Sequence, residues 1–131
     1  MKTNFILICD QAFLTAGSNN LNLIGIFTQI NSQQFPVRYP HFALVVNFDA
    51  TSMGAHTLNT KIIDPNGVQL AQASAPIDIK SSPFQIITNF ENLTFNTPGT
   101  YEIKIALDST DIGSQKLELL PIHHHQKVNL A

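Results

Sequence analysis

The sequence predicts an all-β domain, a two-sheet antiparallel β-sandwich of seven to eight strands. Apolar runs recur along the chain, clusters of Gly, Pro, Asn and Asp separate them, and no run keeps the 3.6-residue period of an amphipathic helix. The 131 residues suffice for one domain with a core between two layers. We therefore expect a single sandwich domain over residues 1–120 and a loosely held tail over residues 121–131.

Two strands are predicted near the N-terminus. The apolar run Phe5–Cys9 predicts the first, and the polar residues 15–20 separate it from a longer apolar run, Leu21–Ile30. The longer run is apolar in both alternating phases, which predicts a central strand or one whose second face is covered. Gly25 inside it predicts a bulge or a close backbone approach. Asp10 directly follows the first run, and we expect its carboxylate to hold the following loop.

A proline-containing linker precedes the next strands. Pro36 and Pro40 lie within residues 34–40, where they exclude a central strand, and either X-Pro bond could be cis. From Phe42 to Phe48, large apolar side chains alternate with smaller ones, which predicts a strand with its larger side chains inward. Another strand is predicted at His56–Asp64.

A hairpin turn follows that strand. Asp64-Pro65-Asn66-Gly67 combines a proline that fixes φ with an Asn-Gly pair that tolerates positive φ. This turn should lead into a strand at residues 68–74. Residues 75–83 carry two prolines and are predicted to form an edge or crossover segment.

The segment at residues 84–95 is predicted to be a bulged strand. Its apolar residues change phase between Phe90 and Leu93, which predicts a bulge near Glu91-Asn92.

The last two strands are predicted from turns and alternation. Thr97-Pro98-Gly99-Thr100 forms a turn signal, and Tyr101–Leu107 then alternates apolar and polar residues over a full strand length. A second turn at residues 108–111 leads into a strand at residues 116–120.

Several motifs carry a resemblance to known proteins. They are Cys9-Asp10-Gln11-Ala12, Leu21-Asn22-Leu23-Ile24-Gly25-Ile26-Phe27, Phe35-Pro36, Gly54-Ala55-His56, Asp64-Pro65-Asn66-Gly67 and Pro98-Gly99-Thr100-Tyr101. In this order and spacing, the chain resembles an uncharacterised bacterial family of single-domain proteins, a domain of unknown function, over roughly Ile6 to Leu120. The Gly-x-Tyr that opens a late strand is common to bacterial immunoglobulin-like sandwiches, in which the tyrosine hydroxyl hydrogen-bonds to the backbone at the corner between sheets. The resemblance to the family implies a cytoplasmic β-sandwich. It implies no established activity and transfers no catalytic residue.

The charge composition narrows the partners. Charged residues make up 12% of the chain, the formal net charge is -2, and Arg38 is the only arginine. Nucleic acid is therefore not expected as a partner, and the scattered lysines do not form a membrane-binding patch. A weakly charged surface repels neighbours poorly, so we expect a homo-oligomer or a protein partner.

Cysteine usage indicates a cytoplasmic location. Cys9 is the only cysteine, so the chain cannot form an internal disulfide. The apolar run Phe5–Cys9 is shorter than a secretory signal requires, and Asp10 ends it.

The reactive residue types of this sequence form only weak candidate sites. His123 and His125 could chelate a divalent metal in an extended segment, but no Cys or carboxylate cluster neighbours them, so we expect no metal and no cofactor. Cys9 is interpreted as a small buried hydrophobe, and the turn residues Asp108 and Asp111 as structural rather than calcium ligands. No nucleophile elbow, phosphate loop or metalloprotease motif is present in the sequence, and the protein is predicted not to be an enzyme.

Two functional hypotheses remain. The first is a non-enzymatic assembly or interaction module that self-associates through an edge strand or through the second apolar face of Leu21–Ile30. The alternative is a small-ligand-binding sandwich, for a sugar or a peptide, that uses the linker aromatics Phe35, Tyr39 and Phe42. Packing of these three rings over the open end of the sandwich is the competing explanation for them.

Overall fold

The computed structural model describes residues 2–122. These residues form no helix, and thus none that could span a bilayer. Pro121 of the predicted tail is the last residue of a strand, whereas His123 and His125 lie outside the described residues. The strands are β1 (Lys2–Leu14), β2 (Leu21–Ile26), β3 (Gln29–Ser32), β4 (Val37–Asp49), β5 (Gly54–Ile63), β6 (Gln69–Ile79), β7 (Phe84–Phe95), β8 (Gly99–Leu107) and β9 (Thr110–Pro121).

The strands form two sheets, which confirms the predicted all-β sandwich. The four-stranded sheet has the order β2-β1-β4-β7, and the five-stranded sheet has the order β3-β9-β8-β5-β6. The core lies between them and is built from alternating positions of each strand. Its fully buried large side chains include Phe42, Leu44 and Phe48 of β4, Leu58 and Ile62 of β5, and Tyr101, Ile103 and Ile105 of β8.

The described chain has nine strands because the run Leu21–Ile30 is not one strand. Phe27 N donates to Ile8 O of β1 at 2.9 Å, whereas Thr28 O accepts from Glu118 N of β9 at 3.0 Å. The chain therefore changes sheets between two adjacent residues. Its second part, β3, keeps its direction and pairs with β9 in parallel, the exception to the predicted antiparallel pairing. The apolar residues in both phases reflect this change of sheet rather than one strand covered on both faces.

Residues 37–40 of the predicted linker belong to the central strand β4, so the exclusion of a central strand is wrong for Pro40, whereas Pro36 lies outside the strand. β4 continues through Pro40, but β1 pairs with β4 only between Ala43 and Asp49. Pro40 itself has no paired residue in β1 or in β7, because the β4–β7 pairing passes from Tyr39–Leu93 to His41–Glu91, so the missing N–H lies at an unpaired position. The Phe35–Pro36 bond is cis, whereas the Tyr39–Pro40 bond is trans.

The predicted bulge near Glu91-Asn92 is also wrong. The pairing of β4 with β7 keeps one register from Phe84 opposite Phe48 to Phe95 opposite Val37. Phe90 and Phe95 are nevertheless both buried, so the inward phase does change between them. Asn92 lies between these two residues and adopts a φ of 55°, and this backbone conformation changes which side chains point inward without inserting an extra residue.

The turns predicted at residues 64–67 and 97–100 are confirmed. At the β5–β6 hairpin, Gly67 N donates to Asp64 O at 3.0 Å, and the Asp64 carboxylate accepts from Asn66 N and Val68 N, each at 2.9 Å. Before β8, the Tyr101 hydroxyl donates to Thr97 O at 2.8 Å, the backbone bond expected of a tyrosine corner.

Candidate interaction surface

The outer side of each sheet can be described as rows of side chains. Directly paired residues of neighbouring antiparallel strands point to the same side of the sheet. On the five-stranded sheet, Gln72, Lys61, Lys104 and Ser114 form one such row across β6, β5, β8 and β9. A broad groove of about 500 Å³ crosses this side, and most of the side chains that line it are polar, including Lys61 and Lys104. This outer face is polar.

The outer side of the four-stranded sheet is apolar. Leu7 of β1 faces Val45 of β4, and Val45 in turn faces Ile87 of β7. In the next row, Cys9 faces Ala43. Cys9, Ala43 and Val45 are fully buried although they point away from the main core, because the larger half-buried side chains around them cover them. We call this surface the apolar outer face; it comprises Phe5, Leu7, Cys9, Ala12, Leu14, Leu21, Leu23, Ala43, Val45 and Ile87.

The margin of the apolar outer face is built largely from amide side chains. Asn4 Nδ2 donates to Asn47 Oδ1 at 2.9 Å and to Asp49 Oδ1 at 3.0 Å, and Asn47 Nδ2 donates to Gln85 Oε1 at 3.2 Å. At the opposite margin, His41 Nε2 lies 3.1 Å from Asn89 Oδ1. At the β1–β2 turn, Leu14 faces Leu21 and keeps 48% of its surface exposed. An apolar centre within a polar margin is the usual anatomy of a protein interface.

Asp10 fixes the strands beside this face. Its Oδ1 accepts from the Tyr39 hydroxyl of β4 at 2.7 Å, and its backbone O lies 2.9 Å from His41 Nδ1. On the other side it packs against Gly25 of β2, whose φ is 71°, and a Cβ there would lie 2.3 Å from Asp10 Oδ2. Only glycine fits this close approach, which confirms the expectation for Gly25. Asp10 thus links β2 to β4 instead of holding the loop at residues 15–20.

The same contact changes the titration of Tyr39. Burial, together with the hydrogen bond to the Asp10 carboxylate, raises the pKa of Tyr39 to about 12. The tyrosine is therefore a neutral hydrogen-bond donor across the ordinary pH range.

The predicted aromatic binding surface does not form as expected. Phe42 has 0% exposure and lies in the main core, stacked on Phe90 with ring centroids 5.2 Å apart. It also contacts Phe27 and Tyr39 edge to face, at 6.3 and 6.1 Å. Phe42 cannot touch a ligand, and its assignment to a binding surface is wrong. Tyr39 and Phe35 are half-buried and pack against the core. Tyr39 also lines a shallow groove of about 340 Å³ with Asp10 and Phe27.

His56 of β5 and Asp108, which follows β8, form a polar pair on the five-stranded sheet. His56 Nδ1 bonds to Asp108 Oδ2, and His56 Nε2 lies 3.1 Å from Ser52 O. Both partners are acceptors, so the geometry suits an imidazolium that donates from both nitrogens. The hydrogen bond to Asp108 raises the pKa of His56, and the same bond lowers the pKa of Asp108. Asp108 also accepts from Thr57 N at 2.8 Å, so its role is structural, although its partners lie in β5 rather than in its own turn.

Cys9 lies in an inert environment. Its Sγ donates to Gln11 O at 3.2 Å, and burial raises the pKa of the thiol. Over residues 2–122, no group of three or more His, Cys, Asp or Glu side chains is placed to hold a metal ion.

Comparisons with known proteins find solved structures of similar fold and a matching family. Solved structures with similar folds include the β-glucosidase of Listeria innocua (TM-score 0.44, 10% identity), in which the match covers 72% of this chain and 15% of that chain. They also include the sensor domain of the anti-sigma factor RsgI4 of Pseudobacteroides cellulosolvens (TM-score 0.44, 13% identity, 70% of this chain and 98% of that one). An immunoglobulin-like protein of Pseudomonas aeruginosa matches with a TM-score of 0.39 at 10% identity, over 86% of this chain and 90% of that one. Similarity at these scores carries no argument about function, and the chain spans only about 15% of the length of the glucosidase.

No curated protein gives a significant match. The profile of a family of unknown function, DUF6941, matches residues 4–120, which spans nearly all of the segment described above. The chain therefore belongs to the family of unknown function DUF6941.

Proposed function

We propose that this protein is a non-enzymatic assembly module that self-associates through its apolar outer face. One observation carries the proposal: the two outer faces of the sandwich differ in chemistry. The row Gln72–Lys61–Lys104–Ser114 on the five-stranded sheet consists of polar side chains, whereas the row Leu7–Val45–Ile87 on the four-stranded sheet consists of apolar ones. A sheet face that stays in water is normally polar, so an apolar one indicates a surface that is covered in the working assembly.

The margin of the face favours a second copy of the chain as the covering partner. Asn47, Gln85 and Asn89 each carry a donor and an acceptor, so the same side chains can pair with their own counterparts in a two-fold interface. Charged residues form only 12% of the chain, which keeps repulsion between copies small.

The proposal is tested by placing a charge on the face. Leu7 lies in the middle of the central strand β1, and Leu7→Lys puts an ammonium group where the partner would pack, while the lysine stem still covers Val45. Val68→Lys is the matched control, because Val68 is 61% exposed and lies on the β5–β6 turn of the other sheet. Circular dichroism melts show that both variants fold before association is compared.

Sedimentation velocity over a concentration series gives the result. We expect the parent and Val68→Lys to associate alike, and Leu7→Lys to dissociate at least tenfold more readily. A parent that stays monomeric at millimolar concentration would overturn the proposal, as would a folded Leu7→Lys variant that associates like the parent.

The proposal that the protein is not an enzyme rests on the state of its reactive groups. Cys9 is buried with a raised pKa, and both nitrogens of His56 face acceptors. We also propose a cytoplasmic location, because the only cysteine of the chain is packed as an apolar side chain.

A second candidate function is binding of a small sugar or peptide in the groove beside Tyr39. The groove favours it because an aromatic ring and the Asp10 carboxylate line the same concave surface of about 340 Å³. A ligand that binds the folded state must raise the melting temperature. Stabilisation by a member of a sugar and peptide panel in the parent, but not in Tyr39→Ala, would support this function, and flat melting curves would count against it.

A further inference from the structure

Within residues 2–122, four strands form the edges of the two sheets, and they differ in how they are protected against pairing with another strand. β3 has 4 residues and β2 has 6, with Gly25 at positive φ inside β2. β6 contains Pro76 and the charged Asp78. Short length, irregular backbone, proline and charge are the features by which natural proteins prevent pairing at a sheet edge.

β7 lacks these features over most of its length. Its segment Phe84–Phe90 contains no charged residue, no proline and no glycine, and its centre is the β-branched run Ile86-Ile87-Thr88. One side of β7 pairs with β4 in a single register from end to end. Along its other side, no strand of residues 2–122 pairs with it. The backbone groups on that side form a long, regular template for another strand.

We propose that two copies of the protein pair edge to edge through β7, antiparallel about a two-fold axis at Ile87, and so form one continuous eight-stranded sheet. This inference rests on the proposed self-association and adds a second contact between copies, with its edge, orientation and register. The edge pairing joins two apolar outer faces side by side, and further copies cover the joined face.

The register follows from the segment itself. Residue 87 is the midpoint of Phe84–Phe90, so an axis there pairs the whole uncharged segment with its own copy. Glu91, the only charged residue of β7, then falls beyond the paired segment in each copy, and the two carboxylates do not face each other. An axis at Thr88 would bring Glu91 and the positive-φ residue Asn92 into the paired region.

The same register extends the apolar outer face across the junction. With Ile87 opposite Ile87 of the second copy, the row Leu7–Val45–Ile87 continues into the identical row of that copy. Gln85 then faces Asn89 of the second copy, so that amides pair with amides beside the apolar row. A shift of one residue would turn every side chain of one copy to the wrong side of the sheet.

Cysteine substitutions on β7 test both the edge and the register. Opposite residues of paired strands have Cβ atoms about 4.5–5.5 Å apart, close enough for oxidative cross-linking. In the proposed register, position 85 of one copy lies about 13 Å along the strand from position 85 of the other, because it faces position 89. The parent is the matched control, since Cys9 is fully buried.

We expect Ile87→Cys to form a covalent dimer under mild oxidation. Gln85→Cys and Asn89→Cys should each stay monomeric on non-reducing gels, whereas their equimolar mixture should cross-link at least tenfold more. Cross-linking of Gln85→Cys by itself as readily as Ile87→Cys would overturn the register.

The outcomes separate this inference from the proposed function. If the parent associates in sedimentation but neither Ile87→Cys nor the mixture cross-links, pairing through β7 is overturned and self-association stands. If the parent does not associate at any concentration, both fail.

Discussion

Replacing Tyr101 by phenylalanine would remove one hydroxyl group and leave the ring in place. The side chain is only 1% exposed, and its hydroxyl donates to Thr97 O at 2.8 Å. The Thr97 N–H also approaches that oxygen, but at 3.4 Å, so the first bond dominates. The ring keeps its edge-to-face contact with Phe95, whose centroid lies 5.1 Å away. The expected cost is therefore one net hydrogen bond, about 1 kcal/mol of unfolding free energy.

Urea denaturation measures this cost. We expect the Tyr101→Phe midpoint to fall with an unchanged m-value, and the melting temperature to drop by roughly 4 °C. Thr97→Ala is the matched control, because the hydroxyl bonds to the backbone carbonyl of residue 97 and not to its side chain. That variant should stay within about 0.5 kcal/mol of the parent. If Tyr101→Phe unfolds at the parent's urea midpoint, the corner bond contributes nothing and the reasoning is refuted.

Three further predictions concern the Gly25–Asp10 contact, the His56–Asp108 pair and the burial of Cys9. Gly25→Ala should lower the unfolding free energy in urea titrations by at least about 2 kcal/mol, because residue 25 has a positive φ and the new Cβ would clash with Asp10. In an Asp10→Ala background the loss should be clearly smaller, and equal losses in the two backgrounds would refute the clash. The His56–Asp108 bond raises the pKa of His56 above 6.5 and lowers that of Asp108 below 3.8. Its contribution is thus full between those two values, and it disappears as pH rises through the folded pKa of His56 or falls through that of Asp108. The stability gap between the parent and His56→Gln should narrow as the pH rises above about 6.5, and a gap that widens there would contradict the pair. Cys9 should react with a thiol reagent only after unfolding; fast labelling of the native protein would contradict its burial.

Much of the fold could be predicted because local signals and tertiary structure agree. The alternation in Tyr101–Leu107 matches the observed strand, which buries every second side chain. The turn at Asp64–Gly67 carries its own hydrogen bonds, so it forms where its residue types predict. These features depend on residues that are close together in the sequence, so the sequence alone is enough to predict them.

The incorrect predictions concern segments whose structure depends on pairing between strands that are distant in sequence. The change of sheet between Phe27 and Thr28 leaves the same pattern as a strand covered on both faces, because apolar residues occupy both phases in either case. Pro40 is tolerated because β1 stops short of it, which only the register reveals.

The candidate surface was missed for the same reason. Leu7, Val45 and Ile87 come from three strands distant in sequence, and only their alignment across the sheet makes them one row. A signal was present: the positions between the inward residues of Phe42–Phe48 hold Ala43 and Val45, where a solvated face would carry polar residues. Reading those positions as the outer face of the sheet would have located the centre of the surface.

The central claim is that the apolar outer face is covered by a second copy of the chain. Methyl NMR over a dilution series tests it most directly, because each methyl signal reports its own surroundings. We predict that the methyl signals of Leu7 and Ile87 shift with concentration while those of Val68, 61% exposed on the opposite sheet, do not. Signals of Leu7 and Ile87 that stay constant while the protein associates, or shifts confined to Val68 and its neighbours, would contradict the claim.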